Sequence, residues 1–251
     1  MDVRGKVAIV TGAAAGTGRS IALHLGAEGA AVVVADVDEP AGEETVRMIE
    51  AGGGRADLAP TDVRVVEEVQ RMVATARRSF GGLDIIINNA GGTPEPHFPA
   101  APPAHWGATL DLNLRGPMLA TQSALEAMRP GGGVVVNIAS TAGLGYGAYE
   151  SPEYGAAKAG LIRFTTSLAS LGDEIGVRVN CLVPDWIGTE RAAGEFAAMS
   201  ETERASTPAP IPMDEVVGAV LRLVTDEGLA GRVMVLRPGK PGYLIDADRR
   251  E

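Results

Sequence analysis

Val7-Ala8-Ile9-Val10-Thr11-Gly12-Ala13-Ala14-Ala15-Gly16-Thr17-Gly18 is the stretch whose reading decides the fold. An unbroken apolar run, 7–10, reads as a strand buried on both faces. The alanine-rich run that continues to Gly29 reads as a helix, and the glycines fall between the two. A turn of that kind points backbone N–H groups at a helix N-terminus, where a pyrophosphate can come close without meeting side chains. Glycine patterns are common by themselves, and the place between strand and helix gives this one meaning.

The same alternation continues outward to the C-terminus. Strands are expected at 31–35, 55–59, 83–87, 133–139, 177–183 and 232–236. Helices are expected at 40–51, 64–80, 104–128, 154–171 and 214–225. In 64–80, Val65, Val69, Met72, Val73 and Ala76 share one helical face. Strictly alternating strands and helices imply a parallel sheet wrapped by helices, and with no repeat, linker or break in composition the chain reads as one domain, 1–251. Two stretches, 91–103 and 185–212, lack a regular pattern and follow strands, so both should emerge at the carboxyl edge of the sheet. The second carries Trp186, Ile187, Phe196 and Met199 among charged residues. That mixture suits an amphipathic helical flap closing over a bound ligand, apolar face inward.

Composition narrows the partners. A net charge of −10 argues against nucleic acid or an anionic membrane. No apolar run reaches ~18 residues, and the N-terminus enters a strand without a signal-peptide pattern, so a cytoplasmic protein is expected. Cys181 stands alone in an apolar run and reads as a small core residue, not a metal ligand. His24, His97 and His105 show neither zinc spacing nor triad partners.

The chemistry centres on Tyr154-Gly-Ala-Ala-Lys158. Residues four apart share a helix face. An ammonium ~5 Å from a phenol, at an effective dielectric near 20, favours the phenolate by roughly 3 kcal/mol. Bringing a tyrosine from about 10 to about 7 needs ~4 kcal/mol. Lys158 could therefore supply most of the shift that makes Tyr154 an acid/base at neutral pH. Asp36, at the end of the second strand, can bond an adenosine ribose diol and repel a 2′-phosphate, with no basic residue in 13–15 to offset it. This favours NAD over NADP.

With these residues in place the chain resembles the short-chain dehydrogenase/reductases over roughly residues 4–236. Its glycine segment, with Gly12, Ala15, Gly16, Thr17 and Gly18, matches the family's Thr-Gly-x-x-x-Gly-x-Gly. Asp62-Val63 is similar to the adenine-contacting pair, and Asn88-Asn89-Ala90-Gly91 to the motif after the fourth strand. Asn113, Ser140, Tyr154 and Lys158 match the catalytic tetrad in order. The resemblance implies a doubly wound Rossmann-type α/β domain with a parallel sheet of about seven strands and helices on both faces. It also implies an NAD-dependent enzyme interconverting a secondary alcohol and a ketone, and a homo-oligomer, dimer or tetramer. In that reading Tyr154 exchanges the substrate proton, Ser140 bonds the reacting oxygen, Lys158 serves the phenol and the nicotinamide ribose, and Asn113 holds a relay water. Pro184, Ile187 and Thr189 contact the nicotinamide end.

Departures concern the pocket. The insert between Ser140 and Tyr154 should form one wall, with Tyr146 or Tyr149 pointing in beside Thr141 and Trp186. Asp185 stands where the family usually has glycine, which should cost backbone freedom. The stretch after Leu236 departs from the family pattern, and 246–251 reads as a polar tail. Two other functions compete. A catalytically idle dinucleotide sensor would have no use for an activated phenol. A sugar-nucleotide epimerase would need a longer C-terminal region.

Overall fold

The computed structural model describes residues 1–128, 131–145 and 147–245. Its elements follow the sequence pattern closely at first: β1 (Val7–Thr11), α1 (Gly16–Ala27), β2 (Ala31–Asp36), α2 (Glu39–Ala51), β3 (Arg55–Pro60), α3 (Val66–Phe80) and β4 (Ile85–Asn88). Then come α4 (Pro103–Leu110), α5 (Gly116–Met128), β5 (Gly133–Ile138), α6 (Pro152–Ser167), α7 (Leu171–Ile175) and β6 (Val177–Pro184). The chain continues through α8 (Glu190–Ala198), α9 (Glu201–Ser206), α10 (Met213–Thr225), β7 (Val233–Arg237) and β8 (Lys240–Leu244). The strands form one sheet in the order β3-β2-β1-β4-β5-β6-β7-β8. All neighbours are parallel except β7 and β8. Strand order reverses between β1 and β4, and a Rossmann-like sheet opens its ligand crevice at the carboxyl end of that reversal.

Side-chain alternation along the strands builds a core on each face. Ile85 and Ile87 pack with Ile21 and Leu25 of α1 and Val220 and Leu223 of α10. Ile86 points the other way, to Val69, Met72 and Ala76 of α3 and Ala120 and Ala124 of α5. A third cluster sets Leu161 of α6 on Cys181 and Val183 of β6. Strands buried on both faces cannot alternate polar with apolar, which is why they read as continuous apolar runs.

The structure corrects several boundaries. The helix expected over 104–128 is interrupted by a π-helical turn, Asp111–Arg115, which carries Asn113 fully into the interior. Such turns commonly mark functional positions, and no apolar periodicity announces them. The helix expected to reach 171 ends at Ser167. The helical flap expected within 185–212 is two helices, α8 and α9, and α9 starts on a capping box between Ser200 and Glu203. Its root is closed by a bridge between Ile187 and Ile211, where Gly188 donates to the Ile211 carbonyl at 2.8 Å. The eighth strand, β8, is an exposed antiparallel edge after Gly239, which takes a φ of +64°. Its Lys240-Pro-Gly composition reads as turn, because an edge strand needs no apolar face. The expected polar tail, 246–251, lies outside the described residues.

Ile86, fully buried, tests the second core. Ile86→Ala should lower unfolding free energy by about 2–5 kcal/mol in urea denaturation. Met118→Ala, at a position 41% exposed, should change it by less than about 0.5 kcal/mol.

Candidate active site

The carboxyl ends of β1 and β4 are stitched together before any ligand chemistry is built on them. The Thr11 hydroxyl accepts from the N–H groups of Asn89 and Ala90, both at 3.0 Å, and faces the Ile87 carbonyl at 3.3 Å. Asn89 Nδ2 donates back to the carbonyls of Thr11 and Gly12. Gly12 and Gly18 pack into this junction. A Cβ on Gly12 would lie 2.9 Å from Ala90 Cα, and one on Gly18 would lie 2.0 Å from the Gly12 carbonyl oxygen. Gly18 therefore serves close packing and does not line the trough. Below, Asn88 Nδ2 donates to Asn137 Oδ1 at 2.8 Å, and Asn137 Nδ2 to Thr165 Oγ1 at 2.9 Å, tying β4 through β5 to α6.

A trough of about 580 Å³ runs from this junction, lined by Gly12, Ala15, Gly16, Thr17, Asp36, Asp62, Val63, Ala90 and Gly91 among others. Asp36 is fixed at its end: one carboxylate oxygen accepts from Ala14 N–H at 2.8 Å, the other from Asp38 N–H at 3.1 Å. Arg19, just past the glycine loop, bonds the Ala14 and Ala41 carbonyls and the Thr45 hydroxyl. Arg64, on the trough wall, is forked onto Asp62, and that hydrogen bond holds the Asp62 carboxyl below its ordinary range. Gly16 takes a φ of +53°, which a side chain would strain, although a Cβ there would only touch Thr189 Cγ2 at 3.7 Å. An open backbone cradle with a carboxylate at its far end fits a dinucleotide.

The trough continues through Thr17, Asn89 and Gly91 into a chamber of about 650 Å³. Ser140, Thr141, Tyr149, Tyr154, Lys158, Pro184, Trp186, Ile187 and Thr189 line it. Tyr146 lies outside the described residues. Tyr149 stacks on Tyr154 with ring centres 6.3 Å apart, and Trp186 meets Phe196 of α8 edge to face. Ser140, at the end of β5, caps the short turn Thr141–Gly143 by accepting from Ala142 N–H at 3.2 Å. Asp185 adopts a negative φ like every described non-glycine residue, so the missing glycine costs no strain.

Lys158 Nζ sits 5.4 Å from the Tyr154 ring centre and donates to the Ile138 carbonyl at 2.9 Å. The lysine expected from helix spacing to pull the phenol down does sit over the ring, but burial dominates and overturns that expectation. It pushes the Tyr154 phenol above its ordinary value, with Ser140's hydrogen bond pulling down and Tyr149 pushing up. It also drives the Lys158 ammonium down to about 8, against an opposing pull from Cys181, whose thiol burial raises to about 12. Both partners thus resist charging in the protein alone.

Asn113 lines neither cavity. Its amide donates to the carbonyls of Gly92 and Thr109 and accepts from Gly92 N–H. A Cβ on Gly91 would come within 2.7 Å of Asn113 Oδ1 and 3.3 Å of Lys158 Nζ, so only glycine leaves these two groups facing each other. Sequence reasoning missed His97 and Glu153. Their side chains, 18% and 4% exposed, pair at 3.2 Å. Burial would raise the Glu153 carboxyl, but its own backbone N–H, Ser151, Phe98 N–H and His97 outweigh that and hold it low. A glutamate beside the key tyrosine was visible, but its partner lies 56 residues away.

A family model described as short chain dehydrogenase matches residues 6–200. The chain is 36% identical over 198 residues to an uncharacterized oxidoreductase of Thermotoga maritima, covering 78% of this chain and 76% of that one. It is 36% identical over 226 residues to a cis-4-hydroxycyclohexanecarboxylate dehydrogenase of Sinomonas cyclohexanicum, covering 88% and 90%. A crystal structure of a short-chain dehydrogenase/reductase from Burkholderia xenovorans superposes with a TM-score of 0.85 at 31% identity, covering 95% and 97%.

The buried lysine gives a pH-dependence that can be measured. Its folded value of about 8 lies below the ordinary 10.5, so the unfolded chain holds more protons between the two. Stability should therefore rise with pH across that window, by up to about 3 kcal/mol from this group. Urea denaturation at pH 7.5 to 10 should show stability rising with pH relative to Lys158→Met, the comparison being needed because the buried Cys181 thiol pulls stability down above about pH 9.

Proposed function

The chain belongs to the short-chain dehydrogenase family, and from that premise we propose an NAD-dependent oxidoreductase that interconverts a secondary alcohol and a ketone. One observation carries this reading: Tyr154, Ser140 and Lys158 converge on one chamber wall, and that chamber opens directly into the trough. The relative from Sinomonas, by its name, oxidises a ring-borne hydroxyl, which supports the same bond change here. When bound, NAD supplies the hydride acceptor and NADH the donor. The residues suited to hold it are the Gly12–Thr17 backbone, Asp36, Asp62 and Val63 along the trough, and Lys158, Pro184, Ile187 and Thr189 at the chamber.

Tyr154 holds the proton that the reacting oxygen gains on reduction or loses on oxidation. Ser140 donates to that oxygen as charge gathers on it. Lys158 favours the phenolate and offers its remaining N–H groups to ribose hydroxyls. Trp186, Tyr149 and the α8 segment exclude water above the reacting carbon. Burial raises the phenol, so the protonated tyrosine suits ketone reduction near neutral pH, and alcohol oxidation should quicken as pH rises.

Tyr154→Phe should lower kcat at least ~100-fold for NAD-linked oxidation of a panel of secondary alcohols, with NADH affinity within about two-fold. Retention of more than about a tenth of kcat would remove Tyr154 from the role.

The preference for NAD rests on the fixed Asp36 carboxylate and on the prior engagement of Arg19 and Arg64. Asp36→Ala should weaken NAD and narrow the ratio of kcat/KM between NAD and NADP. Equal kcat/KM for the two in the unaltered protein would overturn the preference.

A further inference from the structure

The arm that leaves β4, Gly92 to Phe98, has no regular structure, yet side chains hold it at successive points. Gly92 is gripped on both its N–H and carbonyl by Asn113. Thr93, on the chamber wall, shares a 2.7 Å hydrogen bond with Ser151, a residue only 1% exposed at the N-cap of α6. His97 Nδ1 lies 3.2 Å from one Glu153 oxygen, and Phe98 N–H reaches the other at 3.4 Å. Ser151 and Glu153 sit in the turn that presents Tyr154. A surface loop has no need of a buried carboxylate. Desolvating that charge is repaid only when partners meet it in good geometry.

We propose that Thr93–Ser151 and His97–Glu153 form a double clamp that sets the chamber wall against Tyr154, making His97 and Glu153 positioning residues for substrate. This rests on the reading of the chamber as a substrate site. The clamp fixes two surfaces of one cavity, the arm on one side and the start of α6 on the other. Thr93 then faces a substrate held at Tyr154 at a constant distance. Most of the trough, Gly12 to Thr17 with Asp36, Asp62 and Val63, is built from other elements, so nucleotide binding should change little when the clamp is broken. A wall displaced by about 1 Å can cost on the order of 10²-fold in rate.

The test compares His97→Ala, Glu153→Ala and the conservative His97→Asn, whose amide nitrogen can take the place of Nδ1. Steady-state kinetics with NAD use cyclohexanol and cis-4-hydroxycyclohexanecarboxylate, and NADH binding is read by fluorescence. Hydrogen exchange over 92–98 is measured in the same proteins and needs no substrate. The alanine variants should lower kcat/KM for the alcohol about ten-fold or more, with NADH affinity within about two-fold. They should also speed exchange at 92–98, and His97→Asn should recover most of both. A parallel loss of NADH affinity, or unchanged exchange at 92–98, would overturn the clamp. An unaltered protein inactive on both alcohols would count against the functional reading alone, leaving exchange and its rescue by His97→Asn to decide the clamp.

Discussion

The Thr11 hydroxyl joins the ends of two strands that run side by side and then diverge in connection, accepting from Asn89 and Ala90 and facing the Ile87 carbonyl. At the point where strand order reverses, the helices following β1 and β4 leave on opposite faces of the sheet, and the crevice between them is where backbone could gape. One side-chain oxygen with two donors and one acceptor keeps that seam at a fixed width. The trough on one side and the chamber on the other both take their walls from it: Gly12 packs against Ala90, and Gly91 stands between Asn113 and Lys158. An alanine at Gly12 would run into Ala90, and one at Gly91 into the Asn113 amide oxygen.

Electrostatics in the chamber follow from how deeply α6 is set. Lys158 is 3% exposed, held by a carbonyl at the end of β5, and its charge is disfavoured by the same burial that raises the tyrosine. A pair reluctant to ionise alone responds strongly to hydrogen-bonding groups or charges brought beside it, because little water competes for the field. Arg19 and Arg64, the cations beside the trough, are already committed. Arg19 is tied to the backbone and Arg64 to Asp62, so the fixed carboxylate of Asp36 has no ion-pair partner among the described residues.

The π-helical turn at Asp111–Arg115 explains a position that helix periodicity would misplace. An uninterrupted helix would have rotated Asn113 differently relative to Thr109 and the arm. Within the wider turn its amide reaches both the Gly92 and the Thr109 carbonyls. The same arm is then held at Thr93 and His97 by α6. Irregular backbone near the chamber is ordered by side chains from two helices, which is how a loop can form a wall with constant shape.

The local pattern of residues was enough to determine the alternation of strands and helices, the glycine turn, Asp36, and the order of Asn113, Ser140, Tyr154 and Lys158. Each of these depends on near neighbours: buried parallel strands are apolar throughout, helix spacing joins residues four apart, and a tight turn needs glycine. Tertiary structure alone decided what depends on distant partners or on depth. The π turn, the edge strand β8, the bounds of α8 and α9 within the expected helical flap, and the pairing of His97 with Glu153 had no periodic signature. The direction in which Tyr154 and Lys158 shift was likewise hidden, since spacing gives their separation but not their burial. Coulomb attraction can be read from two residues on one helix, whereas desolvation is set by everything the fold packs around them.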